Sequence, residues 1–494
     1  MKKNFLFVIM LFLNLLLFSC TSEETAENSN ESNIETVKTE ASEESKENNI
    51  NNPQNNEMRN NRGGGQGGID KTNDEVLQNL IKTEVPKFKQ FTYTDENSGI
   101  TIEYNLFIPN NYDANKKYPM VQFIPDASLF GKDTKSQLTQ GYGGLVWTTD
   151  EAQSKNECFV YVPAFSSGLK KEYPSLDTRM DSVVDDDYNV SEDIFVNIDC
   201  IKDICKNYSI DTDRIYTTGQ SMGGIMSFFY ATYFNDVFAA YMPVGSQYDN
   251  SIVRYLTDVN LGNADIIYLV SEGDTKASEG MNELMSILDF DDTKYAFRKF
   301  SIKDTYENQN SIVNEALAEG KKLNLFMFNK GEVVPEGVVS NNEHMYSFDY
   351  AYKIDAAREY LFTKTKNKKS TNARTYIEEG IKYLNDKETY GNAYEFFLRA
   401  TLLNDTKAPR YIGYMYENGF FKTKSDIQAS IFYHIGTTRG DITSYYYLGR
   451  MYLDGKGVNQ DTKRAEWYFE IAANSGNDDA TGVKEAKMEL EKLK

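Results

Sequence analysis

The chain has 494 residues, with 74 acidic against 53 basic side chains and a formal net charge of −21. That balance disfavours nucleic acid and anionic membrane surfaces as partners. Only two histidines, His344 and His434, and four cysteines occur, and no Cys/His cluster has the spacing of a zinc site.

The opening stretch, MKKNFLFVIMLFLNLLLFSC, has two lysines and then an apolar run from Phe5 to Phe18 interrupted by Asn14. The run is shorter than the ~20 apolar residues of a spanning helix and has the shape of a secretory signal. A retained signal anchor is the alternative, disfavoured by the small residue and cysteine that end the run. Leu17-Phe18-Ser19-Cys20 resembles a bacterial lipobox. The resemblance implies that residues 1–20 end at a lipidated Cys20, so that export leaves the protein anchored in the cell envelope by its N-terminal lipid only. Thr21 stands where an aspartate would imply inner-membrane retention. In a double-membrane bacterium the expected address is therefore the outer membrane or cell surface.

Residues 21–70 are acidic, then Asn- and Gly-rich, and contain no aromatic residue. They cannot bury enough apolar surface to offset ordering entropy, which predicts a disordered tether. With Cys20 lipidated, Cys158, Cys200 and Cys205 leave an odd remainder, so at least one thiol is free unless a second chain pairs with it. Cys200 and Cys205, five apart on a predicted helix, point to different faces and are not expected to pair.

About 420 residues follow, too many for one ordinary core. Composition changes near KTKNKKSTN (364–372), dividing the chain into 71–366 and 367–494, the first unit expected to fold alone. It opens with alternating Ile100, Ile102, Tyr104, Leu106 and Ile108 after the turn DENSG, a hairpin. Apolar runs typical of buried parallel strands follow at 120–126, 159–165, 214–220, 239–245, 266–272 and 323–329. Helical patterns lie between several, notably at 191–207, 222–234 and 308–320. The fold class is α/β: a mostly parallel sheet with helices on both faces.

In the second unit only helical periodicity remains. Ala393, Ala429 and Ala465 recur 36 residues apart, as do Phe397, Tyr433 and Phe469, and Gly413 pairs with Gly449. A fixed period of this length means stacked helix pairs. YYYLGRMYLDGKGVNQDTKRAEWYFEIAANSGN resembles the Sel1-like repeat, a relative of the tetratricopeptide repeat, and implies an all-α solenoid. The resemblance implies a protein or peptide partner on a concave face; an appendage that steadies its neighbour is the equal alternative. His434 is equivalent to Glu470, which predicts a solvated helix face.

Within the first unit, RIYTTGQSMGGIMSFF (214–229) contains Gly219-Gln220-Ser221-Met222-Gly223, the G-x-S-x-G pattern of a nucleophile elbow. A predicted strand before and helix after favour that reading over an ordinary Gly/Ser turn. The helix N-terminus would offer the Met222 amide to a developing oxyanion. RIYTTGQSMGG…YFNDVFAAYMPVGS, preceded by YNLFIPNNYDANKKYPMVQFI, resembles the secreted carboxylesterase and polyhydroxybutyrate-depolymerase branch of the α/β-hydrolases, over roughly 88–364. The resemblance implies Ser221 as nucleophile, Asp274 in SEGDTKA as acid and His344 before the last helix as base. Glu272 and Asp265 are local competitors for the acid, and a helix cap is the structural alternative for Asp274. Where the family has a His-Gly turn, this chain reads Ile124-Pro125-Asp126-Ala127. A backbone amide of Asp126 or Ala127 is then expected as second oxyanion donor.

The expected activity is hydrolysis of carboxylic esters, polymeric or envelope-derived ones included, without metal or organic cofactor. A prolyl-oligopeptidase-like peptidase is the first alternative; an inactive hydrolase fold serving with the repeats as a scaffold is the second. The acidic stretch 177–189 lacks calcium-loop spacing and reads as a solvated loop. Trp147 lines either a cleft or a packed core.

Overall fold

The apolar runs become strands because their alternating side chains serve two layers at once. In β9 (Leu323–Phe328) Leu323, Leu325 and Met327 join one core while Phe326 and Phe328 join the other. In β3 (Tyr118–Ile124) Met120 and Ile124 face the first layer, Val121 and Phe123 the second. Strands buried on both faces carry no polar side to mark them, hence the continuous hydrophobic runs.

The computed structural model describes residues 69–166, 188–258, 260–338, 342–366, 373–476 and 481–493. The signal with Cys20, nearly all of the tether and most of the acidic stretch 177–189 lie outside the described residues. Among the described residues nine strands form one sheet in the order β1-β2-β4-β3-β5-β6-β7-β9-β8. β1 (Lys89–Thr94) and β2 (Thr101–Phe107) form the predicted hairpin, Lys89 opposite Leu106 and Thr94 opposite Thr101. β2 also runs antiparallel to β4 (Phe159–Ala164). The remaining strands, β5 (Ile210–Gln220), β6 (Ala240–Val244), β7 (Asp265–Ser271) and β8 (Tyr295–Phe300), lie parallel to their neighbours, as do β3 and β9. The six predicted parallel strands are all present. The unpredicted one, β8, reads YAFRKF and lies at the sheet edge, where Arg298 and Lys299 blunt further pairing.

In chain order, the helices that cover the sheet are α1 (Glu75–Glu84), α2 (Asp193–Asn207), α3 (Met222–Tyr233), α4 (Asn250–Leu256), α5 (Thr275–Ile287), α6 (Tyr306–Leu317), α7 (Glu343–Lys353) and α8 (Asp355–Phe362). α2 to α5 pack on one face, α1 and α6 to α8 on the other. An antiparallel start, a parallel sheet covered on both sides and a serine at a strand-to-helix turn make this an α/β-hydrolase fold. Trp147, 2% exposed, donates from Nε1 to the Gly143 carbonyl at 2.7 Å, a packing role. Cys158, Cys200 and Cys205 are free; burial pushes the first two thiols up to about 12 and Cys205 to about 11.

Among the described residues seven α-helices follow: α9 (Ala373–Tyr383), α10 (Tyr390–Leu402), α11 (Ala408–Asn418), α12 (Asp426–Thr438), α13 (Ile442–Asp454), α14 (Thr462–Ala473) and α15 (Val483–Leu493). Their period has a steric origin. A Cβ on Gly413 would lie 2.8 Å from the Tyr433 ring, and one on Gly449 2.7 Å from the Phe469 ring. Small residues admit the aromatic of the next helix at equivalent points.

These helices share a core with the α2–α3 face of the hydrolase. Phe432 meets Tyr233 edge-on at 5.6 Å, and Asn235 donates to the Leu402 carbonyl at 2.8 Å. The partly buried Arg439 guanidinium, lowered to about 10 chiefly by desolvation, donates to the carbonyls of Tyr233, Thr401 and Asp405. His434 is corrected by this packing. It is 4% exposed, not solvated, because the outward face of the middle repeat is covered by α2. Its counterpart Glu470 lies where no such cover exists and is exposed.

Candidate active site

β5 delivers Ser221 to a turn too tight for side chains on either side. A Cβ on Gly219 would lie 2.4 Å from the Gly223 carbonyl, and one on Gly223 2.0 Å from the Ile124 carbonyl oxygen. Ser221 itself holds φ +53° and ψ −116°, a conformation that an L-residue adopts only under constraint. The constraint is visible: its N–H donates to the Val244 carbonyl at 2.9 Å, and its own carbonyl accepts from Gly224 and Ile225 in α3.

The histidine comes from the first turn of α7, whose N-cap Asn342 accepts from the Met345 N–H. His344 Nε2 lies 2.8 Å from Ser221 Oγ, and Nδ1 lies 2.6 Å from Asp274 Oδ2. A carboxylate only accepts, so Nδ1 carries the proton and Nε2 presents its lone pair to the serine hydroxyl. Phe348 stands edge-on to the imidazole at 4.9 Å. Asp274, 6% exposed, caps α5 through Oδ1 and the Ala277 N–H while Oδ2 holds the histidine. Both expected readings of this aspartate coexist in one carboxylate.

The competitors are elsewhere. Glu272 pairs with Lys299 at 2.6 Å, and that bond lowers its carboxyl. Asp265 begins β7 at the opposite end of the strand, paired with Lys322 at 2.7 Å.

For the oxyanion, Met222 supplies the first amide of α3. The close approach of Gly223 to Ile124 and Pro125 brings the exit of β3 beside the elbow. There the Asp126 carboxylate accepts from the Ser128 N–H at 2.8 Å and from Gln220 Nε2 at 3.2 Å. Two donors take up its charge, and Ala127 begins a short 3-10 turn over Ala127–Leu129. Both amides proposed from sequence, Asp126 and Ala127, lie on this segment.

One residue the sequence reading missed is Glu343. Its buried carboxylate accepts from Ser271 Oγ at 2.7 Å and from the Gly331 N–H at 2.8 Å. It thereby ties the ends of β7 and β9 to the residue next to His344. A Cβ on Gly273 would lie 1.9 Å from that carboxylate group, so the loop carrying Asp274 packs directly on it. An acidic residue in a helix's first turn is commonplace, and nothing in the pattern marks this one. Among the described residues no group of three or more His, Cys, Asp or Glu side chains is placed to hold a metal ion, and no helix is long and apolar enough to cross a membrane.

The Sel1 repeat family matches residues 408–435 and 442–477. These helices are Sel1 repeats. A Sel1 repeat protein from Oxalobacter formigenes is 26% identical over 25% of this chain and 93% of its own, at a TM-score of 0.21. A thermostable esterase is 24% identical over 57% of this chain, at a TM-score of 0.43, and the match spans 64% of that esterase's length. A feruloyl esterase module from Clostridium thermocellum, complexed with sinapinate, is 15% identical over 59% of this chain and 92% of its own, at a TM-score of 0.31. The matched repeats lie C-terminal to the fold that carries Ser221, His344 and Asp274, with α9 and α10 between.

Proposed function

We propose that the protein is a serine hydrolase that cleaves carboxylic esters. One observation carries the reading: an unbroken hydrogen-bonded chain from Ser221 Oγ through the His344 ring to a buried Asp274 carboxylate, set at a strained strand-to-helix turn. In that chain His344 Nε2 takes the serine proton as Oγ attacks the ester carbonyl, forming a tetrahedral intermediate. The same nitrogen returns the proton to the departing alcohol, leaving an acyl-serine. Water, activated by the same base, then releases the acid. Asp274 keeps the ring in the productive tautomer and stabilises the imidazolium. The Met222 amide, with Asp126 or Ala127, would receive the oxyanion; one such donor is worth ~10²–10³ in turnover.

The apolar run ending at Cys20 supports a lipid-anchored place in the cell envelope for this activity, with substrates drawn from what reaches that surface. Detergent-phase partition of the Cys20→Ala protein tests the anchor: loss of partition is expected, and unchanged partition means a retained signal anchor.

The activity is tested by fluorophosphonate labelling of the mature protein, followed by a panel of p-nitrophenyl esters and aminoacyl amides. Ser221 should be the labelled residue and esters the faster substrates. Absence of label there refutes the serine-hydrolase reading, whereas faster amide turnover transfers it to the peptidases.

A further inference from the structure

An aspartate stands at the exit of β3, where the second oxyanion donor is expected. A free carboxylate there would oppose the charge that develops on the carbonyl oxygen, and Asp126, 3% exposed, has little water to screen it. Four residues hold it in a closed circuit of hydrogen bonds. Asp126 Oδ2 accepts from Gln220 Nε2 at 3.2 Å, and the same nitrogen donates to Gln140 Oε1 at 3.0 Å. Gln140 Nε2 donates to Ser128 Oγ at 2.9 Å, and the Ser128 N–H returns to Asp126 Oδ1 at 2.8 Å. The first bond dictates the rest. A carboxylate only accepts, so Gln220 turns its amide nitrogen to it; that fixes which atom Gln140 presents, and what then reaches Ser128.

The circuit joins two parts of the site. Gln220 is the last residue of β5, adjacent to Ser221, and is buried. Asp126 and Ser128 flank Ala127 in the turn that holds the expected donor. The loop beyond is braced separately. Gln137 Nε2 donates to the carbonyls of Leu129 and Lys132 at 2.8 and 3.1 Å, and Asn105 Nδ2 donates to that of Thr134 at 2.7 Å. Those bonds hold the loop to itself and to β2. Among the described residues, the side-chain bonds from β5 to this loop are the two that Gln220 makes.

A side chain needed here for packing alone could be leucine. One that bridges two acceptors on a separate loop needs the amide. Resting on the serine-hydrolase reading above, we propose that Gln220 is a positioning residue: through Asp126 and Gln140 it sets the β3-exit turn at the separation from Ser221 at which a turn amide receives the oxyanion. The same bonds keep the Asp126 charge occupied away from that oxygen.

Steady-state ester kinetics of the full mature chain, with inhibition by an aryl trifluoromethyl ketone, test this. The ketone's serine adduct carries an oxyanion, so its affinity reads donors that the substrate ground state does not need. Gln220→Leu keeps a similar volume and removes both donors. It should lower kcat about 10- to 100-fold with KM nearly unchanged, and weaken the ketone by the same factor. Gln220→Glu sets two carboxylates face to face and should lose at least as much. Adding Asp126→Asn restores one carboxylate and one amide to the pair in reverse order, and should recover turnover about tenfold or more. Thermal unfolding shows which variants are folded at the assay temperature. Where Gln220→Leu is not, Gln140→Met, at a part-exposed position, replaces it and should lower kcat several-fold. The proposal is overturned if the folded variant keeps parental kcat, if its loss lies in KM, if ketone affinity stays parental while kcat falls, or if the double variant recovers nothing. Fluorophosphonate labelling of Ser221 in the parent separates the two readings. With label, such results remove only the role of Gln220, whereas a parent that neither labels nor turns over ester removes both.

Discussion

His434 of the Sel1 helix α12 stacks on Phe195 of the hydrolase helix α2, ring centroids 5.0 Å apart and planes 14° from parallel. Its Nε2 lies 3.3 Å from Glu192 Oε1, and the Arg464 guanidinium of α14 engages the same carboxylate. A buried histidine and glutamate and a partly buried arginine, from two parts of the chain, thus meet. The repeats supply Glu192 with the Arg464 countercharge.

A chain ending at residue 366 should therefore lose stability or solubility, contrary to the independence expected from composition alone. Truncation uncovers Phe195, Phe229 and Tyr233 and removes Arg464 from the buried Glu192 carboxylate. Soluble yield and thermal midpoint of residues 71–366 against the mature chain are the measurements. An equal midpoint would mean that the shared core contributes little.

His434 should also make stability depend on pH. Desolvation lowers its pKa from the ordinary 6.5 to about 4; Glu192 opposes the shift and Arg464 reinforces it. Between those values the unfolded chain binds a proton that the folded chain refuses. Stability is then complete above ~6.5 and falls by roughly 3 kcal/mol at most as pH drops toward ~4. Urea midpoints across this window should show a shallower slope in His434→Phe, with ester turnover at neutral pH little changed. Parallel slopes would show that other groups set the acid limit.

At the active site, His344→Ala should lower ester turnover on the order of 10⁵-fold, because Ser221 loses its proton acceptor while substrate-binding groups stay. Asp274→Asn should cost about 10⁴-fold by favouring the wrong tautomer. Steady-state kinetics at saturating substrate decide this. Near-parental turnover in His344→Ala would sink the Ser–His assignment, since the hydrolase part has no other histidine.

Glu343 acts through its neighbours, and its variants should report that. Glu343→Gln retains shape but cannot accept from both Ser271 and Gly331, and Gly273→Ala pushes a methyl into the same carboxylate. Each should lower kcat by about 10- to 100-fold with KM nearly unchanged, as expected when a displaced base misses its geometry. A rise in KM alone would reassign Glu343 to the substrate pocket.

How much of this was legible beforehand follows from range. Buried parallel strands announce themselves as apolar runs, and the elbow announces itself because only glycine fits beside Ser221. The stacked repeats show because each must offer its neighbour the same gap, as Gly413 and Gly449 do. The resemblance to the α/β-hydrolases implied Asp274 and His344, and the scarcity of histidine supported the latter. The strands, the elbow and the repeats are local or periodic constraints, written within a few residues of where they act.

The tertiary structure alone decided what depends on residues far apart in sequence. Asp274 is selected over Glu272 and Asp265 by which carboxylate meets a ring 70 residues away, and Glu343 matters because two strand ends converge on it. The covering of His434 arises from the docking of α12 on α2 and α3. Docking buries one copy of a repeated face and leaves another wet, so identical positions in the period acquire opposite environments. Periodicity records what every repeat shares; only the fold distinguishes the copy that has a neighbour.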